Sequence, residues 1–169
     1  MNRSQLPVEA NYFLKPGYIF VTKKPTIIST VLGSCVAVFI CDRKRKMNGI
    51  NHYELPYAGK SDPPTARYGN VAIIALIRMM LDEGAKVKHM EAQIFGGAHD
   101  RKMISTNIGL ENIKMARKVL NKKGVRIVSE DVGGEKGRKI VLDTISSEIA
   151  VVKVNRIRRG DWYPFEDRR

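Results

Sequence analysis

Between residues 17 and 55 the apolar positions fall in short blocks with no helical spacing. Residues 17–22, with Tyr18, Ile19, Phe20 and Val21, and residues 26–31 are rich in aromatic and β-branched side chains, the composition of strands. Gly33 and Ser34 interrupt the pattern, and residues 36–41 then run continuously apolar. A block that short suits a buried strand better than a helix. The charged stretch 42–47 reads as a turn, and residues 47–55 return as its partner strand, ended by Pro56, which has no N–H for the ladder. From 70 to 83 the period becomes helical: Ile73, Ile74, Leu76, Ile77, Met80 and Leu81 form one wide stripe, with Asn70 as cap and Gly84 as stop. A strand at 90–95 runs into Gly96 and Gly97. A second helix spans 108–121, with Leu110, Ile113, Ala116, Val119 and Leu120 on one side and Gly124 behind it, and strands at 125–128, 139–142 and 149–154 follow. Four strands, helix, strand, helix and three strands alternate too little for a doubly wound parallel sheet. They predict an α+β fold, a layered sandwich of mixed β-sheets covered by two main helices.

With no internal repeat and one long breaker-rich stretch at 56–68, the 169 residues are expected to form a single domain, 1–169. Residues 1–16 would be its polar lead and 155–169 a basic tail. An apolar content of 43% suffices for a core. The net charge of +13 is spread along the chain, +5 over residues 1–84 and +8 over 85–169, and an excess of that kind steers acidic partners. Nucleic acid is disfavoured, because one Trp, six Tyr and five Phe are scattered without a stacking motif and no helix-turn-helix is evident. The longest apolar stretch, 31–41, is far shorter than a bilayer span, and the first ten residues hold no apolar signal segment. A cytoplasmic protein without membrane insertion is expected, its two cysteines reduced. Two cysteines and three histidines show no close ligand spacing, so no metal is expected. The glycine pairs at 96–97 and 133–134 match neither a dinucleotide fingerprint nor a P-loop, so no cofactor is expected.

Candidate chemistry centres on Cys35, which stands at the break between two extended segments, behind Gly33 and Ser34. A glycine turn there could aim side chains and backbone amides into a cleft, making Gly33, Ser34, Gly96 and Gly97 candidates for lining it or holding an oxyanion. Cys41, inside the apolar block, reads as a small buried hydrophobe. A nucleophilic thiol needs a base nearby. A hairpin turning at 43–46 would place His52 at the same end of adjacent strands as Cys35, with Glu54 on the same face if the strand is regular. His89 and His99 lie near loops without such a partner. Ser29 and Thr30 are the nearest hydroxyls upstream, and strand alternation lets only one of them face the site.

Together these pieces resemble the CheD family of chemoreceptor glutamine deamidases. The resemblance rests on Leu32-Gly33-Ser34-Cys35-Val36, on His52 with Leu55-Pro56 behind it, on Ile94-Phe95-Gly96-Gly97-Ala98, on Ile108-Gly109 with Asn112, and on Asp131-Val132-Gly133-Gly134 followed by Gly137-Arg138. It extends over residues 18–154. It implies a protein-glutamine glutaminase of bacterial or archaeal chemotaxis that converts receptor glutamines to glutamate with release of ammonia, and an additional receptor glutamate methylesterase activity. It also implies a Cys-His-Thr triad whose first two members map onto Cys35 and His52. The third falls on Ser29, six residues before the cysteine, with Thr30 beside it as the alternative. The implied partners are the helical cytoplasmic domain of a chemoreceptor, as substrate, and a CheC-type phosphatase. The chain itself is expected to be a monomer. The alternative is a non-catalytic adaptor of the same fold that binds receptor or phosphatase, which an ammonia assay would separate from an enzyme.

Overall fold

The structure, a computed structural model, describes residues 10–102 and 106–164. Nine strands form two sheets. Strands β1 (Ala10–Phe13), β3 (Thr26–Leu32), β8 (Gly137–Asp143) and β9 (Glu148–Val154) make a four-stranded sheet in the order β1-β3-β8-β9. Strands β2 (Ile19–Thr22), β4 (Val36–Asp42), β5 (Met47–Asn51), β6 (Met90–Gly96) and β7 (Arg126–Val132) make a five-stranded sheet in the order β2-β5-β4-β6-β7. Both sheets are mixed: β1 runs parallel to β3 and β7 parallel to β6, and the remaining pairs are antiparallel. Helices α1 (Gly69–Asp82) and α2 (Ile108–Lys122) both cover one face of the larger sheet, and a single-turn helix, α3 (Arg159–Trp162), lies near the C-terminus. The order of layers is therefore helices, five-stranded sheet, four-stranded sheet.

Strand β4 shows why its sequence has no alternation. Val36, Val38 and Ile40 pack under the helices with Ile73, Leu76, Met80, Ile113 and Leu120. Ala37, Phe39 and Cys41 pack between the sheets with Ile28, Leu32, Ile140 and Leu142. Both faces of the strand are covered, so both must be apolar, and each fully buried Leu, Ile or Phe contributes about 1.5–3 kcal/mol. Among the described residues no helix is long and apolar enough to cross a membrane.

Three expectations need correction. Asn70 does not cap α1: Tyr68 is the N-cap residue and makes no side-chain cap bond, while Asn70 Oδ1 accepts the N–H of Ala58 (2.9 Å) and ties down the 56–68 loop. The partner strand of β4 keeps a regular ladder only to Asn51, and the backbone N–H groups of Glu54 and Leu55 turn away to the carbonyl of Arg67. The polar lead contains β1 and the fully buried Leu14, which seal the edge of the smaller sheet. At the other end, Ile157 and Trp162 lie over Gly33, near enough that a Cβ there would sit 3.9 and 3.6 Å from them.

Candidate active site

Cys35 sits where the chain passes from one sheet to the other, after β3 ends at Leu32 and before β4 begins at Val36. Gly33 makes this passage without a positive φ; the unusual backbone lies across from it, at Gly96 (φ 105°) and Gly97 (φ 70°). A side chain at Gly96 would come within 2.2 Å of the Cys35 carbonyl oxygen. Gly97 N–H donates to that carbonyl (2.8 Å), and Ala98 N–H donates to the carbonyl of Gly33 (2.9 Å). Gly96 and Gly97 thus seat the cysteine, and the Gly97 amide is not free to hold an oxyanion. The backbone N–H groups of Ser34 and Cys35 have no acceptor among the described residues, and that of Cys35 lies against its own sulfur.

A 3-10 turn at Arg43–Arg45 closes the hairpin between β4 and β5, with Asp42 opposite Met47 and Phe39 opposite Ile50. The last pair is Val36 with Tyr53, joined by reciprocal N–H···O bonds of 3.1 and 3.0 Å. Cys35 and His52 flank this pair, one on each strand. His52 is fully buried, and its backbone is held on both sides: its N–H donates to Tyr18 (3.1 Å) and its carbonyl accepts from Gly17 (2.7 Å).

Thr30, and not Ser29, reaches the imidazole. On β3, Thr26, Ile28, Thr30 and Leu32 face the other sheet, so Ser29 points to the opposite side. Thr30 Oγ1 lies 2.8 Å from His52 Nδ1 and 2.6 Å from the Leu14 carbonyl oxygen. A carbonyl can only accept, so the single hydroxyl proton belongs to that bond, and Oγ1 must accept from Nδ1–H. The tautomer follows: Nδ1 carries the proton and Nε2 presents a lone pair. Nε2 is buried and has no partner among the described residues.

Burial sets the protonation of both groups. It lowers the His52 pKa to about 4, against the opposing pull of the Leu14 carbonyl. It raises the Cys35 thiol to about 12, with the Glu54 carboxylate adding to the rise and the cysteine's own N–H opposing it. At neutral pH the site rests as a neutral thiol and a neutral imidazole. Glu54 does not touch the ring; its carboxylate pairs with Arg67 Nε at 2.8 Å.

Asn112 was legible in sequence only as part of a motif, and the structure brings it into the site. Asn107 caps α2 by accepting the N–H of Leu110 (2.9 Å), and the first turn packs so tightly that a Cβ on Gly109 would lie 2.4 Å from the Gly97 carbonyl oxygen. One turn on, the fully buried Asn112 donates from Nδ2 to the carbonyls of Ser34 and Glu54, both at 2.9 Å. Tyr53 Oη donates to the backbone carbonyl of Asn112 (2.5 Å). Among the described residues no three His, Cys, Asp or Glu side chains converge as a metal site. His89 lies at the far end of β4, where its Nδ1 is 2.9 Å from Arg45.

A family model described as CheD chemotactic sensory transduction matches residues 55–153. A relative from Sulfurimonas denitrificans, named probable chemoreceptor glutamine deamidase CheD, is 37% identical over 147 residues, covering 85% of this chain and 94% of its own. A match of that extent necessarily spans Cys35, His52 and Asn112. A relative of the same name from Thermococcus kodakarensis is 38% identical over 143 residues, 80% of this chain and 88% of its own. Among solved structures, a Neisseria meningitidis protein is similar in part, with a TM-score of 0.48, 14% identity, and coverage of 75% of this chain and 64% of that one. The family match over more than half the chain, and relatives of this identity and coverage, settle the membership: the chain belongs to the CheD family.

Proposed function

We propose that this protein hydrolyses the side-chain carboxamide of glutamines in chemotaxis receptors, using Cys35 as nucleophile, His52 as base and acid, and Thr30 to hold the ring. The observation that carries the reading is the Thr30–His52 contact: a hydroxyl whose own proton goes to Leu14 forces Nδ1–H, and leaves Nε2 as an open base at the end of the hairpin where Cys35 stands. The names of the relatives supply the substrate class.

In the first step Nε2 takes the thiol proton as sulfur attacks the carboxamide carbon. The oxygen becomes an oxyanion, which the N–H groups of Ser34 and Cys35 stabilise. Nε2–H then protonates the leaving nitrogen, and ammonia departs from a glutamyl thioester. Water, deprotonated by Nε2, hydrolyses the thioester to glutamate and restores the thiol. Because both partners rest uncharged, proton transfer accompanies attack. The same acyl chemistry accepts a glutamate methyl ester, with methanol leaving in place of ammonia. A basic surface steers the protein toward acidic receptor helices, so the rate falls with added salt.

The test is mass spectrometry of receptor cytoplasmic fragments incubated with the protein. Gains of ~1 Da at particular glutamines are expected, the mass of exchanging an amide for an acid, together with stoichiometric ammonia. Unchanged fragments across cognate receptors would leave an adaptor that binds without turnover.

A further inference from the structure

The strands carrying Cys35 and His52 part company at the site. Beyond the Val36–Tyr53 pair, an antiparallel ladder would next join Ser34 to Leu55. Here the Leu55 N–H goes instead to Arg67, at 3.2 Å, and the Ser34 carbonyl accepts from Asn112. The hairpin is thus open at the end that holds the thiol and the imidazole, and the gap is spanned by one side chain from a different layer of the fold.

We propose that Asn112 is a positioning residue, a clasp that sets the separation of Cys35 from His52 by donating one N–H to each of the two diverging strands. Resting on the deamidase reading given above, this assigns a role to a residue that touches neither substrate nor reacting atom. Four observations carry it. The two acceptors are the carbonyl immediately before Cys35 and the carbonyl two residues after His52. Asn112 is fully buried although Ser34 is exposed, so the side chain reaches those carbonyls from inside the fold. Its Oδ1 is buried and has no partner among the described residues, so the side chain is kept for its two donors at the cost of an unpaired oxygen. Finally, the helix that carries it is fixed from both sides, by Tyr53 Oη on the Asn112 carbonyl and by Gly109 on the Gly97–Ala98 backbone.

The chemistry requires Asn and no near relative. Aspartate has the same shape but as a carboxylate offers no donor and sets negative oxygen against two carbonyl oxygens. Protonated, it recovers one donor, and burial beside two carbonyls raises its pKa. Glutamine is one methylene too long for a filled site.

The experiment follows ammonia release from receptor fragments by the full chain and by Asn112→Asp across pH. The variant is expected to show kcat about 100-fold below the natural protein at pH about 8, with KM within about twofold, and to regain most of that loss toward pH about 5.5, while the natural protein changes little. Wild-type kcat in the variant at pH about 8, or a loss confined to KM, overturns the clasp. Should the variant not fold, the natural protein decides by NMR: both carboxamide protons of Asn112 are expected to exchange slowly with solvent, and exchange at the rate of a free amide overturns the proposal. If the natural protein releases no ammonia at all, the deamidase reading fails, and the exchange measurement still judges the clasp.

Discussion

Strand β4 has a cysteine near each end and a histidine near each, yet its two ends differ in how fully their polar groups are paired. At the turn end, the buried Asp42 carboxylate accepts the N–H of Arg45 (3.2 Å), the N–H of Lys86 (3.1 Å) and the Arg45 guanidinium (3.4 Å). Burial pushes that carboxyl up, but the two N–H groups together with the nearby Arg45 and His89 outweigh it, so its pKa is lowered. Cys41 beside it is paired in register on both sides, with Asn48 and Glu91. At the open end, the buried His52 Nε2 and Asn112 Oδ1 have no partner among the described residues, and the Cys35 N–H meets only its own sulfur. Each buried polar atom left unpaired costs about 1–3 kcal/mol. The difference is that hydrogen bonding is left incomplete around Cys35 and His52 and is closed around Asp42 beside Cys41.

Exchanging the fates of the two cysteines is the strongest way to break this contrast. Cys35→Ala is expected to lower kcat/KM for ammonia release by at least about 1000-fold, whereas Cys41→Ala keeps activity within about threefold and lowers stability by about 1 kcal/mol in urea. Comparable losses in both variants would end it. The next largest effect separates neighbours on β3. Thr30→Val frees the imidazole to take the wrong tautomer and is expected to lower kcat by about 10–100-fold, while Ser29→Ala stays within about twofold. The reverse ranking would move the role to Ser29. The smallest effect is in pH. Because His52 is held near 4, kcat/KM should persist well below the ordinary histidine range, and an acid limb near 6.5 would mean a solvated ring. The same shift links to folding. Between about 6.5 and 4 the unfolded chain takes up a proton that the folded one refuses, so stability falls as pH falls through that window, by at most about 3 kcal/mol. His52→Gln should flatten that part of a urea-midpoint profile.

Much of the scaffold was legible because it is local. The 36–41 block, the stripe under α1 and the hairpin that brings residue 52 back toward residue 35 all follow from neighbouring residues. Pairing across the chain was not. β1 finds β3 as a parallel partner, and with it the Leu14 carbonyl reaches Thr30, which nothing in the lead of residues 1–16 announces. The choice between Ser29 and Thr30 depends on the phase of β3, and the consecutive buried residues Thr30, Val31 and Leu32 hide that phase. Asn112 reaches partners 78 and 58 positions away, so spacing could not assign it a task. Gly96 and Gly97 read as a turn beside a cleft, but which way their N–H groups point is settled only by register with β4.

The indole packed over Gly33 belongs to the chain's sole tryptophan. Its fluorescence, excited apart from the tyrosines, therefore reports from one place, beside the turn that leads to Cys35. The protein comes with its own optical gauge of whatever settles onto that turn, readable by stopped flow without a dye.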